Sequence, residues 1–155
     1  EAQAFTAQGK YVEAEPAYLQ ALKIYQDTHG ENHVDVAATL NNLGVLHRMH
    51  GQYTEAEPLL MRALAIKERL HGPDHPDVAL TLHNLGLVYV SQGVPEKAEP
   101  LYRRALAIRE KALGETHRDV EKSLGELIGL LQKLHRDADA APLEERLSAI
   151  KQRRS

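Results

Sequence analysis

The chain contains no cysteine. That excludes a disulfide scaffold, an iron–sulfur cluster, a thiolate zinc site and a cysteine nucleophile, and it leaves the redox compartment open. No apolar run approaches the roughly 20 residues that span a bilayer. Residues 1–10 do not have the make-up of a signal peptide. Charge of one sign is also scarce: 19 basic and 22 acidic residues give a formal net charge of -3. Duplex DNA or RNA needs a concentrated basic face, and the tail of Lys151, Arg153 and Arg154 is too short to supply one. Neither nucleic acid nor membrane is expected as a partner. A glycine-rich phosphate loop, a nucleophile elbow and a His–Glu metalloprotease helix are all missing, so no enzyme is expected.

What is present is repetition. Copies of one 42-residue pattern begin at Gly9, Gly51 and Gly93, each reading G-x-x-x-x-A-E-P, A-L-x-I, a second glycine, H-x-D-V and L-x-x-L. Residues 9–50 match 51–92 at 20 of 42 positions, and 51–92 match 93–134 at 17 of 42. A period of this length marks a stacked array, in which each unit is too small to cover its own apolar face and covers its neighbour's instead. The expected organisation is one array over 1–155. Residues 1–8 form the end of a truncated helix, 9–50, 51–92 and 93–134 are full periods, and 135–155 hold a last, capping-like helix.

Apolar residues recur at three- and four-residue spacing, which predicts two alternating helices per period. The first helix is expected over about 34–50, 76–92 and 118–135, with Leu40, Leu43, Gly44 and His47 as one core stripe and Leu82, Leu85, Gly86 and Tyr89 as the next. The second is expected over about 11–28, 53–71, 95–113 and 137–152. Its stripe alternates small and large residues: Ala14, Tyr18, Ala21, Ile24; Ala56, Leu60, Ala63, Ile66; and Ala98, Tyr102, Ala105, Ile108. Gly44 and Gly86 fall in mid-helix, where glycine costs about 1 kcal/mol against alanine, so close helix approach is expected there. Gly30, Gly51, Gly72, Gly93 and Gly114 read as helix stops. Thr54 with Glu57 has capping-box spacing, and Asp137 is expected to cap the last helix. Pro16, Pro58, Pro100 and Pro142 are placed near the start of the second helix.

The pattern L-x-N-L-G-x-x-Y, G-x-Y-x-E-A-E-P-L-x-x-R-A-L-A-I-x-E and G-x-D-H-P-D-V-A resembles the 42-residue tetratricopeptide repeat of kinesin light chains, and is similar to related bacterial and nephrocystin-type repeats. The resemblance implies an all-α fold, a right-handed α-solenoid (superhelix) of antiparallel helix pairs whose first helices line a concave groove. Such grooves hold an extended peptide segment of a partner protein, or a helix of their own chain. The last copy departs from the pattern at Ile128, Gly125-Glu126 and Ala141, as expected of a terminal unit.

With Leu40, Leu43 and Gly44 inward, Ala38, Asn41, Val45 and Arg48 form another stripe, with Asn42 beside it. Its equivalents are Leu80, His83, Leu87 and Val90 with Asn84, then Lys122, Gly125, Gly129 and Gln132 with Glu126. The resemblance places these stripes on the groove, where asparagine can both donate to and accept from a peptide unit. Exposure is expected for Asn41, His83 and Arg48; Asn42 and Asn84 serve either a ligand or contacts between units. An alternative is a regulatory module of a larger signalling protein, packing on its own chain or self-associating through exposed array ends.

Nine histidines raise the question of metal. His29 with His33, and His71 with His75, have the H-x3-H spacing of a helical metal pair, but Gly30 and Gly72 break the helix between the two members. His33, His75 and His117 recur with the period just before a helix start, where a turn-stabilising role suffices. No metal and no cofactor is expected. Glu13 with Glu15 and Glu55 with Glu57 recur likewise and are assigned to a solvated helix start.

Overall fold

The computed structural model describes residues 2–3 and 11–154. Of residues 1–8, assigned above to the end of a preceding helix, 1 and 4–8 lie outside the described residues. The chain divides into two compact units, Glu1–Pro73 and Asp74–Ser155. The first holds α1 (Tyr11–His29), α2 (Val34–Met49) and α3 (Tyr53–His71). The second holds α4 (Pro76–Ser91), α5 (Pro95–Leu113), α6 (Arg118–Lys133) and α7 (Asp137–Arg154). Within each unit consecutive helices pack on one another, and no strand occurs among the described residues.

The helix ends follow from the residues that repeat. Each of α2, α4 and α6 is entered through a histidine in extended conformation, His33, His75 or His117. Its Nδ1 accepts from the backbone N–H two residues on, at 3.2, 3.2 and 3.1 Å. The histidine thus does what Ser or Asp commonly does at this place. Its partner residues Asp35, Asp77 and Asp119 put a carboxylate in the first turn, at the positive end of the helix dipole. At the far end Gly51 N–H donates to Arg48 C=O (3.0 Å) and Gln52 N–H to His47 C=O (2.9 Å), a Schellman pair. It needs positive φ, and Gly51 and Gly93 supply +75° and +79°.

Two expected caps are not formed. α3 begins at Tyr53 with Gln52 before it, so Thr54 lies inside the first turn and cannot act as the capping residue. Asp137 is the first residue of α7 rather than the residue preceding it. The prolines sit sixth in α1, α3, α5 and α7. That is beyond the free N–H groups of the first turn, so each helix gives up a backbone bond there.

The mid-helix glycines mark close packing. A Cβ on Gly44 would stand 2.6 Å from Leu60 Cγ, and one on Gly86 2.4 Å from Tyr102 Cε1. In the last pair the arrangement reverses. Ile128 is buried where those glycines stand, and Glu144, at the position of Leu60 and Tyr102, points outward and accepts from Gln132 at 2.7 Å. In the second unit Ala98, Tyr102, Leu106, Leu124, Leu127, Leu131 and Ile150 form the body of one core. In the first, Leu22, Val36, Leu40, Ala63 and Ile66 form one cluster and Ala14, Tyr18, Leu43 and Leu46 another.

One predicted core position is overturned. Ile24 is 52% exposed, whereas Ile66 and Ile108 are 5% and 3% exposed. Ile24 lines an open cleft of about 510 Å³ with Ala2, Gln3, Ala17, Ala21, Ala38 and Asn42.

Candidate interaction face

The predicted stripe on α2, α4 and α6 divides by burial. Ala38, Leu80, Lys122, Gly125, Gly129 and Gln132 are exposed, and Asn42, Val45, Arg48, Asn84, Leu87 and Val90 are half-buried. Asn41 and His83 are buried at 6% and 7% exposure, against the expectation that both are open to a ligand. For His83 the cause is local. Its ring stacks on Tyr102 at 5.5 Å, and Nδ1 lies 3.0 Å from a Glu126 carboxylate oxygen. A carboxylate only accepts, so Nδ1 carries the proton and His83 ties α4 to α6.

His47, one turn beyond the Asn41–Asn42 pair, is used similarly in the first unit. Its Nδ1 donates to Gln52 Oε1 at 2.7 Å and its Nε2 lies 3.6 Å from Glu15. Glu99, the counterpart of Glu15 in the second unit, is held by Arg103 and by Arg136 at the turn before α7. Glu99 thus joins α5 to the turn before α7, whereas Glu15 is half-exposed at the start of α1. Arg48 is half-buried with its Nε unbonded.

In the second unit the stripe opens into a hollow of about 200 Å³ lined by Val90, Tyr102, Glu126, Gly129, Leu130 and Lys133. Gly129 occupies the place of Val45 and Leu87, and a Cβ there would meet nothing within 4 Å. The hollow exists because a large side chain is missing from that row. Nearer the start of α6, Lys122 and Gly125 line a cleft of about 410 Å³ with Arg118, Leu147 and Lys151. Gln132 turns to α7 through Glu144. Tyr102, Leu130 and Lys133 were absent from the predicted set; the one signal for them in the sequence was the break in the period at Gly125 and Gly129.

The histidine spacing also has a different outcome from the expectation. Gly30 does end α1, at φ +82°. The chain nevertheless turns back so that the His29 and His33 rings stack at 4.2 Å, with Asp35 beside them. A helix break between two histidines did not keep them apart.

A search of curated proteins gave no match. Among solved structures the chain is similar to BtubC (BKLC) from P. vanneervenii, at 26% identity and a TM-score of 0.88 over 97% of this chain and 60% of that one. It is also similar to a Podosopora anserina protein described as kinesin light chain-like, with nearly identical TPR-like repeats. That match has 29% identity and a TM-score of 0.82, over 99% of this chain and 74% of the other. This chain thus spans under two thirds of BtubC's length. No helix of the described residues is long and apolar enough to cross a membrane. The tetratricopeptide repeat model matches residues 2–69 and 50–111, more than half of the chain. With a 42-residue period, histidine-capped first helices and glycine-seated helix pairs, the chain belongs to the tetratricopeptide repeat family of kinesin light chain-like, all-α protein-interaction modules.

Proposed function

We propose that this chain is a non-catalytic scaffold that binds an extended segment of a partner protein on the first-helix face. In the second unit that face is formed by α4 and α6, with Leu80, Asn84, Leu87 and Val90 on one side and Lys122, Gly125 and Gly129 on the other. The row Ala38, Asn42, Val45 and Arg48 on α2 serves the same purpose in the first unit. The hollow floored by Gly129 carries the reading. Val90, Tyr102 and Leu130 give it an apolar wall, it is open, and its size suits one large apolar side chain, the kind of anchor around which peptide contacts are organised. Leu80, 45% exposed on a helix whose neighbours are buried, extends the apolar strip. Asn41 and His83 support the face from beneath.

Replacing Gly129 with leucine tests this without disturbing the fold, since open space lies over Gly129 and leucine already stands at the equivalent place in the second copy, Leu87. For a peptide selected from a random library on the wild-type chain, G129L is expected to weaken binding by roughly tenfold or more, the value of one buried anchor. Equal affinity with unchanged helicity would contradict the placement of the peptide in the hollow.

A further inference from the structure

Three donor groups converge at the turn between α1 and α2. The His29 and His33 rings lie nearly parallel, with centroids 4.2 Å apart at 20°, and Tyr25 stacks behind His29 at 6.3 Å. One donor atom from each of His29, His33 and Asp35 lies within 4.8 Å of the other two, the single such set among the described residues. His33 Nδ1 is 3.3 Å from an Asp35 carboxylate oxygen. Two donors bound about 2.0–2.1 Å from one tetrahedral ion stand at about that separation. The corresponding pairs His75–Asp77 and His117–Asp119 are wider, at 3.8 and 3.7 Å.

The fold does not require His29. The third copy ends its helix on Leu113 instead, and the glycine that follows takes nearly the same φ, +87° at Gly114 against +82° at Gly30. His29 is exposed, so its ring can turn the remaining distance. An ion at His33 Nδ1 would take the lone pair now used by the Asp35 N–H (3.2 Å), and that N–H would pass to water. Asp35 also lies on the wall of the open cleft beside Thr39 and Asn42, which leaves room for water on the ion. Glu31 is not part of the set, being held by Arg62 and Gln26.

We propose that His29, His33 and Asp35 form a binding site for a divalent transition ion of the zinc class, with water in the remaining position. Two imidazoles and one carboxylate suit zinc and its neighbours; magnesium and calcium take oxygen ligands.

The test is zinc chloride titrated into the full chain, followed by calorimetry and by the imidazole NMR signals. The second copy keeps His71, His75 and Asp77 in sequence, so the titration is run in a His71→Leu background. The His29 and His33 ring signals are expected to move together. His29→Leu, the residue the third copy carries, and Asp35→Asn should each weaken zinc binding by at least the roughly 10–100-fold that loss of an outer partner costs. Metal-free melting of His29→Leu should be unchanged. Binding should also weaken on acidification, because protons compete for the same nitrogens. Zinc affinity that is the same with and without His29, shifts confined to other histidines, or no zinc binding at micromolar concentration would each overturn the proposal.

Discussion

His135 adopts φ +56°, and no other described non-glycine residue has positive φ. It stands where Gly51 and Gly93 end the first helices of the preceding copies, and it makes the same bonds. His135 N–H donates to Gln132 C=O and Arg136 N–H to Leu131 C=O, both at 2.9 Å. A side chain in this conformation costs about 1–2 kcal/mol, partly returned because glycine loses more freedom on folding. His135→Gly is therefore expected to stabilise by about 1 kcal/mol and raise the melting temperature by about 2–4 °C for a chain of this size, measured by circular dichroism. A lower melting temperature would mean that the His135 ring makes a compensating contact. Residue roles of this kind were legible in the sequence because they are local. A cap at His33 depends on Asp35, and a stop at Gly51 on the turn before it. The burial of His83 was not legible, because it depends on a Tyr102 ring from α5 and a Glu126 carboxylate from α6.

For whole helices, the period fixed the boundaries closely: α3 and α5 span the expected 53–71 and 95–113, and the others differ by one or two residues at an end. It also paired small residues with large ones across the helix interfaces, and glycine has opposite meanings within that pairing. Gly86 is pressed against Tyr102, so Gly86→Ala, although alanine is the better helix former by about 1 kcal/mol, should destabilise by about 1–3 kcal/mol through overpacking. Denaturant unfolding checks this; a stabilised Gly86→Ala would show that the Tyr102 ring moves aside freely. Gly129 faces open space instead, so nothing in the packing of α6 requires it. Helix ends carry exposed ion pairs as well. Lys111 donates to Asp74 at 2.6 Å and holds that carboxyl below the ordinary carboxylate range, so the pair acts at neutral pH and is lost as pH falls through the lowered value. Both groups are exposed, so solvent screening keeps the effect on stability small.

For the molecule as a whole, the two units share one construction and differ in what their first helices present. The first offers Ala38, Asn42 and Val45 at the surface, and the second offers Leu80, Leu87 and Val90 above a hollow with Lys133 at its edge. Repetition explains the scaffold, and departures from repetition explain the face. Val45, Leu87 and Gly129 occupy one position in three copies, and only the last opens a space. The sequence could show that departure but not its depth, which is set by how far α4, α5 and α6 stand apart. The exposure of Ile24 was hidden as well, since Ile66 and Ile108 at the same position of the period are buried. The most direct test of the central claim is to locate a bound peptide by backbone amide NMR on the full chain. The account predicts the largest shifts at Asn84, Leu87 and Val90 on α4 and at Lys122, Gly125 and Gly129 on α6. Shifts concentrated on the outer surface of α5 and α7, around Pro100, Arg103 and Glu145, would contradict it.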